Sequence, residues 1–358
     1  MKPKLNKRLI GKKELENLAI GATVLGSGGG GNTNYELLLA KHKVDNYGPI
    51  DLISIQDLSK DDLIVPVAFM GAPLVFTEKL SSGKEFKAII ESIEKHFSKK
   101  PTAIMSAEIG GANALTAFKI SAQLGLPVLD ADLLSRAFPE LQINSAALKN
   151  IPLCPAFLAD CHANSIIINT NDNFKLEAFA RSITVEMGSS AALAVALMTG
   201  EQAKKAAISG TVTQAILIGE IITNAKKNNI NPVKELVKKI DAKFIGSGAI
   251  TNIEQSIKSG FLKGNVTIEN KDLELTILIE YQNENLIAYA NNKVVATTPD
   301  IITILDSQTG IAITTDALLY GVQVSIIAIR ANEIWQTKEG LKLVSPKAFG
   351  YDIDYNPV

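Results

Sequence analysis

The sequence predicts an α/β protein. A layered, mainly parallel α/β N-terminal domain is expected over residues 1–169 and a C-terminal domain over 170–358, helical over 170–245 and then β-rich over 246–358. Three observations carry this expectation. Short apolar runs alternate with stretches of helical period to about residue 150, as strand and crossover helix do in a parallel sheet. Helical period then dominates from Asn173 to Ile240, and beyond Gly246 short β-branched runs recur between turn signals. A chain of 358 residues also exceeds the length at which one core stops growing, which favours at least two domains.

Taken in order, Glu14 to Leu25 puts Leu15, Leu18, Ala19 and Ala22 on one helical face. Six residues from Gly26 to Gly31, five of them glycine, separate it from a second helix over Tyr35 to Lys43, capped by Asn32 or Thr33. Strands follow at Asp51–Ile55, Leu63–Met70, Thr102–Ser106 and Pro127–Asp130, with helices at Gly83–Phe97 and Ala112–Leu124 between them. Another strand is expected at Ser165–Asn169, then helices at Asn173–Glu186, Ser189–Met198, Gly200–Ser209, Thr211–Lys227 and Pro232–Ile240. The Ala- and Ser-rich Gly188–Gly200 reads as a buried helix, too short for the roughly 20 residues that span a bilayer. Strands close the chain at Gly264–Ile268, Leu273–Tyr281, Leu286–Ala290, Lys293–Thr298, Ile301–Asp306 and Val322–Ala328.

Charge excludes some functions. With 36 basic and 37 acidic residues the net charge is −1, so neither nucleic acid nor a membrane surface has an electrostatic reason to bind, and a small neutral ligand is the better expectation. Cys154 and Cys161 are too few for a disulfide framework, and the basic N-terminus runs into no apolar signal core. Both point to a cytoplasmic protein. Three scattered histidines give structural zinc little support, although a divalent metal on Asp130, Asp132 and Glu108 stays open.

The richest chemistry lies in Asp130 to Gln142, directly after an apolar run that reads as a strand. Ligands in open α/β sheets bind beyond such strand ends. The stretch offers the carboxylates Asp130, Asp132 and Glu140, together with Arg136 and Gln142. Neighbouring carboxylates push their pKa values apart, so one can act as base while another holds a proton. Arg136 either orients a substrate through paired hydrogen bonds or neutralises the aspartates, and the sequence leaves both open. The loops carrying Gly71 and Glu108, Gly111 and Asn113 follow strands in the same way. Gly26-x-Gly28-x-x-Gly31 matches a dinucleotide fingerprint in letters only, because a helix and not a strand precedes it. Gly28, Gly29, Gly30, Gly31 and Asn32 read instead as a ligand-contacting loop. Cys161 and His162 are adjacent on an extended segment and point to opposite faces, so they form no nucleophile–base pair.

Several of these pieces occur together in one family. Leu25–Asn32, Met70–Pro73, Glu108–Ala114, Asp130–Glu140, Gln282–Asn285, Thr298–Asp300 and Pro346–Tyr351 resemble, in order, the motifs of the S-methyl thiohydantoin desulfurase-like family, the former DUF917 group. The resemblance departs where Ala131 and Ser135 replace glycines and where Cys161-His162-Ala163-Asn164 replaces an acidic-basic-Gly-Asn turn.

The resemblance implies a hydrolase that removes a sulfur substituent from an S-methyl thiohydantoin-like ring or a related cyclic ureide. Asp130, Asp132 and Glu140 would supply acid/base catalysis; Gly28–Asn32, Gly71, Glu108, Gly111, Asn113 and Arg136 would hold the ring. No cofactor is expected. A homo-oligomer is expected, and a hydantoinase/oxoprolinase-type protein is the implied partner. Two alternatives remain: a non-catalytic accessory subunit of such an assembly, and a metal-dependent amidohydrolase.

Overall fold

The computed structural model describes residues 8–71, 75, 81–258 and 261–358. Ala72 and Pro73 of one quoted motif lie outside them, as does the basic start Met1–Lys7. The chain divides into two compact units, one of Met1–Glu16, Asn32–Leu134 and Glu140–Thr213, the other of Asn17–Gly31, Ser135–Pro139 and Gln214–Val358.

The first unit is built on one mixed sheet of β1 (Arg8–Ile10), β2 (Ile50–Ile53), β3 (Leu63–Gly71), β4 (Ala103–Ser106), β5 (Val128–Leu129), β7 (Ala156–Ala159), β8 (Ser165–Ile168), β9 (Ser190–Ala194) and β10 (Met198–Thr199). The order is β1-β2-β5-β4-β3-β9-β7-β8, with β10 also on β3. Strands β2, β5, β4 and β3 run parallel; β1 and β7 to β10 add antiparallel. A separate ribbon pairs β6 (Ala131–Asp132) with β11 (Ile208–Ser209).

The helices obey local rules. In α1 (Lys12–Leu25) the predicted face Leu15, Leu18, Ala19 and Ala22 is buried. Asn32 caps α2 (Thr33–Tyr47), its side chain accepting the Asn34 N–H at 2.8 Å. The sheet also receives α3 (Lys84–Phe97) and α4 (Asn113–Leu124); the short α5 (Ser145–Leu148) follows, and α6 (Asn173–Glu186) and α7 (Gly200–Ala206) pack on the sheet, with α5 against α7.

Two expectations fail. Ser189–Met198 is not a buried helix but β9 and β10, and the helix from Gly200 stops at Ala206 before β11. Every residue of β9, Ser-Ala-Ala-Leu-Ala, is buried between β3 and β7. Alanine favours helix in isolation, but a strand with neighbours on both edges satisfies all its backbone groups, and burial on both faces removes the alternation that signals a strand.

The second unit is an antiparallel sheet in the order β16-β15-β14-β13-β12-β18-β17. Its strands are β12 (Lys243–Lys258), β13 (Phe261–Asn270), β14 (Leu275–Gln282), β15 (Glu284–Ala290), β16 (Lys293–Thr297), β17 (Ile301–Asp306) and β18 (Gln323–Ile329). β15 also approaches β17, so the sheet curls around a core that includes Ile250, Val266, Ile277, Tyr281, Ile304 and Ile326. β12 escaped the sequence reading because Gly246 and Gly248 interrupt its alternation; they sit where a Cβ would strike Leu275 Cδ2 at 2.5 Å and Glu269 O at 2.3 Å.

Helices α8 (Thr211–Lys227) and α9 (Pro232–Ile240) precede the sheet, and α10 (Lys338–Val344) follows it. Helix α8 crosses α1 through two glycines: a Cβ on Gly21 would lie 1.8 Å from Ala215 O, and one on Gly219 would lie 2.0 Å from Asn17 O. Among the described residues no helix is long and apolar enough to cross a membrane.

Candidate functional site

Because β2, β5, β4 and β3 are parallel, the loops that follow them leave from one edge of the sheet. The loop after β4 carries Glu108 and turns into α4 through Gly111, which has φ 80°. Asn113, in the first turn of α4, clasps the backbone of β3. Its Oδ1 accepts the Phe69 N–H at 2.7 Å, while Nδ2 donates to Phe69 O at 3.2 Å and to Glu108 Oε1 at 2.8 Å. Glu108 is therefore a partly exposed carboxylate whose direction is set by a buried amide. Gly71 ends β3 where a Cβ would lie 2.3 Å from Ser189 O.

The two aspartates do different things. Asp132 is fully buried, and its Oδ2 accepts the N–H groups of Ile109 at 2.8 Å and Leu134 at 3.1 Å, which ties the Glu108 loop to β6. Asp130 is half-buried and faces the first turn of α8, taking the Thr213 N–H at 3.0 Å and the Thr213 hydroxyl at 2.6 Å. That places negative charge where a helix start attracts it. Glu140, partly exposed, accepts from the Gln142 amide. So the structure gathers Glu108, Gly111, Asn113 and Asp132 around one loop, and gives Asp130, Glu140 and the cap Asn32 separate partners.

One group near this edge was not singled out in the sequence. Lys119 on α4 is buried, bound to Glu36 Oε2 at 2.7 Å and Ser81 Oγ at 2.8 Å, with its ammonium 4.8 Å from the centre of the Phe69 ring. A lone lysine in an otherwise apolar and small-residue helix was the available signal.

The glycine loop belongs to the second unit and packs on the β14–β15 turn. Gly28, Gly30 and Gly31 have φ of 88°, 77° and 76°, which glycine adopts without a steric cost. Thr315 N–H and Oγ1 donate to Gly28 O at 2.9 and 3.2 Å; Asn285 N–H donates to Ser27 O at 2.6 Å. At Gly29 a Cβ would lie 2.2 Å from Glu284 Oε1, so only glycine leaves room for that carboxyl.

Glu284 is 3% exposed and Arg136 is 1% exposed. Arg136 donates through Nη1 to Pro299 O at 2.6 Å and Asp300 O at 2.9 Å, and through Nε to Ala137 O at 3.0 Å; it also lies over the Phe138 ring. Burial pushes the Glu284 carboxyl up to about 7 against the opposing charge of Arg136. Burial likewise lowers the guanidinium to about 10, with Glu284 and Asp300 working the other way. Arg136 Nη2, Glu284 Oε2 and Asn285 Oδ1 are buried and have no hydrogen-bond partner.

Cys161 and His162 sit in a turn fixed by Asp160, whose Oδ1 accepts the His162 and Asn164 N–H groups at 2.9 Å each. Burial would raise the Asp160 pKa, but these bonds and the Asn164 side chain outweigh it and lower the value. Among the described residues no three His, Cys, Asp or Glu side chains gather closely enough to hold a metal ion.

Comparison with known proteins now identifies the family. Residues 13–170 match the family model described as S-Me-THD-like, N-terminal domain, and residues 171–358 match S-Me-THD-like, C-terminal domain. The chain belongs to the S-Me-THD-like family. A protein of Chromobacterium violaceum, solved by X-ray crystallography, has the same fold as this S-Me-THD-like chain. Identity is 22%, coverage is 98% of this chain and 100% of that one, and the TM-score is 0.81. No curated protein matches.

Within this S-Me-THD-like chain, four of the quoted motifs contribute to the second unit's cluster: the glycine loop, Arg136, Glu284–Asn285 and Thr298–Asp300. Glu284 itself was not predicted as a site residue. In sequence, Asn-Glu-Asn between two strands reads as a solvated hairpin turn, and only the fold buries it.

Proposed function

We propose that this S-Me-THD-like protein is a hydrolase that removes the sulfur substituent from an S-methyl thiohydantoin-like or related cyclic ureide ring. The family description supports the enzyme class and the kind of ring. The observation that carries the choice of reacting group is the Asn113 amide holding Glu108 Oε1 at 2.8 Å beyond the end of β4. Glu108 is the partly exposed carboxylate of that loop, so water and substrate reach it. Asp132 is a positioning residue: its two backbone bonds fix the loop that presents Glu108.

In the reaction, Glu108 removes a proton from water as the oxygen attacks the ring carbon bearing sulfur. A C–O bond forms, the C–S bond breaks, and the carbon becomes a carbonyl. One water proton ends on the ring nitrogen and the other on the departing thiolate, so thiohydantoin thioether and water yield cyclic ureide and thiol.

The test is steady-state thiol release from an S-methyl thiohydantoin as a function of pH. Glu108→Gln should lower kcat about 10²- to 10⁴-fold, the usual effect of losing a general base, and abolish the acidic limb of the profile. Asp132→Asn should lower kcat less and leave that limb in place. A Glu108→Gln protein with the kcat and pH profile of the wild type would refute the assignment.

A further inference from the structure

We propose that the free edge of β8 is an interface between two copies of this chain, with β8 pairing antiparallel to β8 of a second copy about a two-fold axis at Ile167. The proposal is independent of the reaction above.

The argument begins with backbone groups. Among the described residues β8 ends the first unit's sheet, with β7 on one side and no strand on the other. Across the turn between these strands the Asp160 N–H donates to Asn164 O at 3.1 Å. Closely bonded pairs alternate in an antiparallel ladder, so Ile166 and Ile168 turn their N–H and C=O toward β7. Ser165, Ile167 and Asn169 turn theirs outward.

A bare edge of this kind invites another strand, and proteins guard it with charge, proline or a bulge. The opposite end of the sheet, β1, carries Arg8. The β8 edge has no such guard. From Ala163 to Asn171 there is no charged residue and no proline, and the register with β7 runs without a shift. Ile166 and Ile167 are 42% and 43% exposed, one on each face of the sheet.

Self-complementarity selects a second copy as the occupant. A two-fold axis sets each residue at the edge against itself or its near neighbours, so a charge at the centre would meet its own sign. Here the centre is three isoleucines. Pairing Ile167 with Ile167 of the second copy joins their N–H and C=O groups in one closely bonded pair, with Ile166 opposite Ile168 and Ser165 opposite Asn169. At each end the same register brings the His162 turn toward Asp172 of the second copy, an imidazole beside a carboxylate rather than like against like. A five-residue ladder alone falls short of the roughly 1,200 Å² that a stable interface buries. Helix α6 packs on β8, so an axis perpendicular to the sheet puts α6 of both copies on one face. Phe174, Phe179 and Val185 of that helix are exposed, Phe174 by 66%, and supply further apolar surface.

Sedimentation equilibrium of the full chain tests this. The wild type should sediment at twice the 38.3 kDa chain mass. Ile167→Lys and Ile167→Glu each set like charges across the axis and should each weaken the dimer at least tenfold, with an unchanged circular dichroism spectrum. Mixed in equal amounts, the two variants should form dimers at least tenfold more tightly than either alone, because lysine then faces glutamate. If these variants do not fold, the double substitution Ser165→Lys/Asn169→Lys, at exposed positions that oppose each other in the same register, should weaken the dimer likewise. A monomeric wild type, a dimer undisturbed by substitution in a folded variant, or no recovery on mixing would each overturn the proposal.

Discussion

Glu284 carries a proton at a pH where an exposed glutamate has lost it. Its pKa is raised from 4.5 to about 7, so the folded protein binds this proton more tightly than the unfolded chain does. The associated stability is complete below about pH 4.5 and is lost as pH rises through about 7, to a total on the order of 3 kcal/mol. Denaturant unfolding of wild type and Glu284→Gln should therefore show a difference between the two that changes over this window and is flat outside it. A difference independent of pH would mean that the carboxyl titrates normally. Sequence could not supply this: Asn283 and Asn285 are turn formers, a glutamate between them is ordinarily exposed, and nothing local shows that Gly29 will lie against it. Arg136 was legible as a functional candidate, but its commitment to the carbonyls of Pro299 and Asp300 depends on residues more than 160 positions away.

Close approaches and caps fix the elements. Gly21 and Gly219 let α1 and α8 meet backbone to backbone, and Gly21→Ala would drive a methyl group into Ala215 O. The helices would have to separate, at a cost of about 3 kcal/mol in a thermal or denaturant unfolding measurement. Asp130 acts on the same helix α8 through both of its Thr213 contacts. Asp130→Ala should cost about 1 kcal/mol, the usual value of a helix-start contact, and a substitution that left stability unchanged would contradict that role. Elements with one exposed face were readable from period, as in α1 and β14. Strand β9 was not, since Ser190-Ala191-Ala192-Leu193-Ala194 is buried throughout and presents no polar phase to read. The short β5 lies within the strand expected over Pro127–Asp130, whereas β6 fell in the charged stretch expected to follow it.

The molecule as a whole joins a parallel-centred sheet to a curled antiparallel one, and the family match spans both parts. The parallel part was legible because helices of clear period, Lys84–Phe97 and Asn113–Leu124, follow β3 and β4, which also made the common edge of the Gly71, Glu108 and Asp130 loops predictable. Which carboxylate there faces solvent was not legible, because Asp132 and Glu108 differ only in what folds over them. The central claim is that water replaces the sulfur substituent of a cyclic ureide-type ring. It is tested most directly by incubating the wild-type protein with an S-methyl thiohydantoin in isotopically labelled water and measuring methanethiol and ring product together. The account predicts equimolar thiol and hydantoin, with one labelled oxygen in the new carbonyl. No release of thiol, or thiol released without label in the ring, would contradict it.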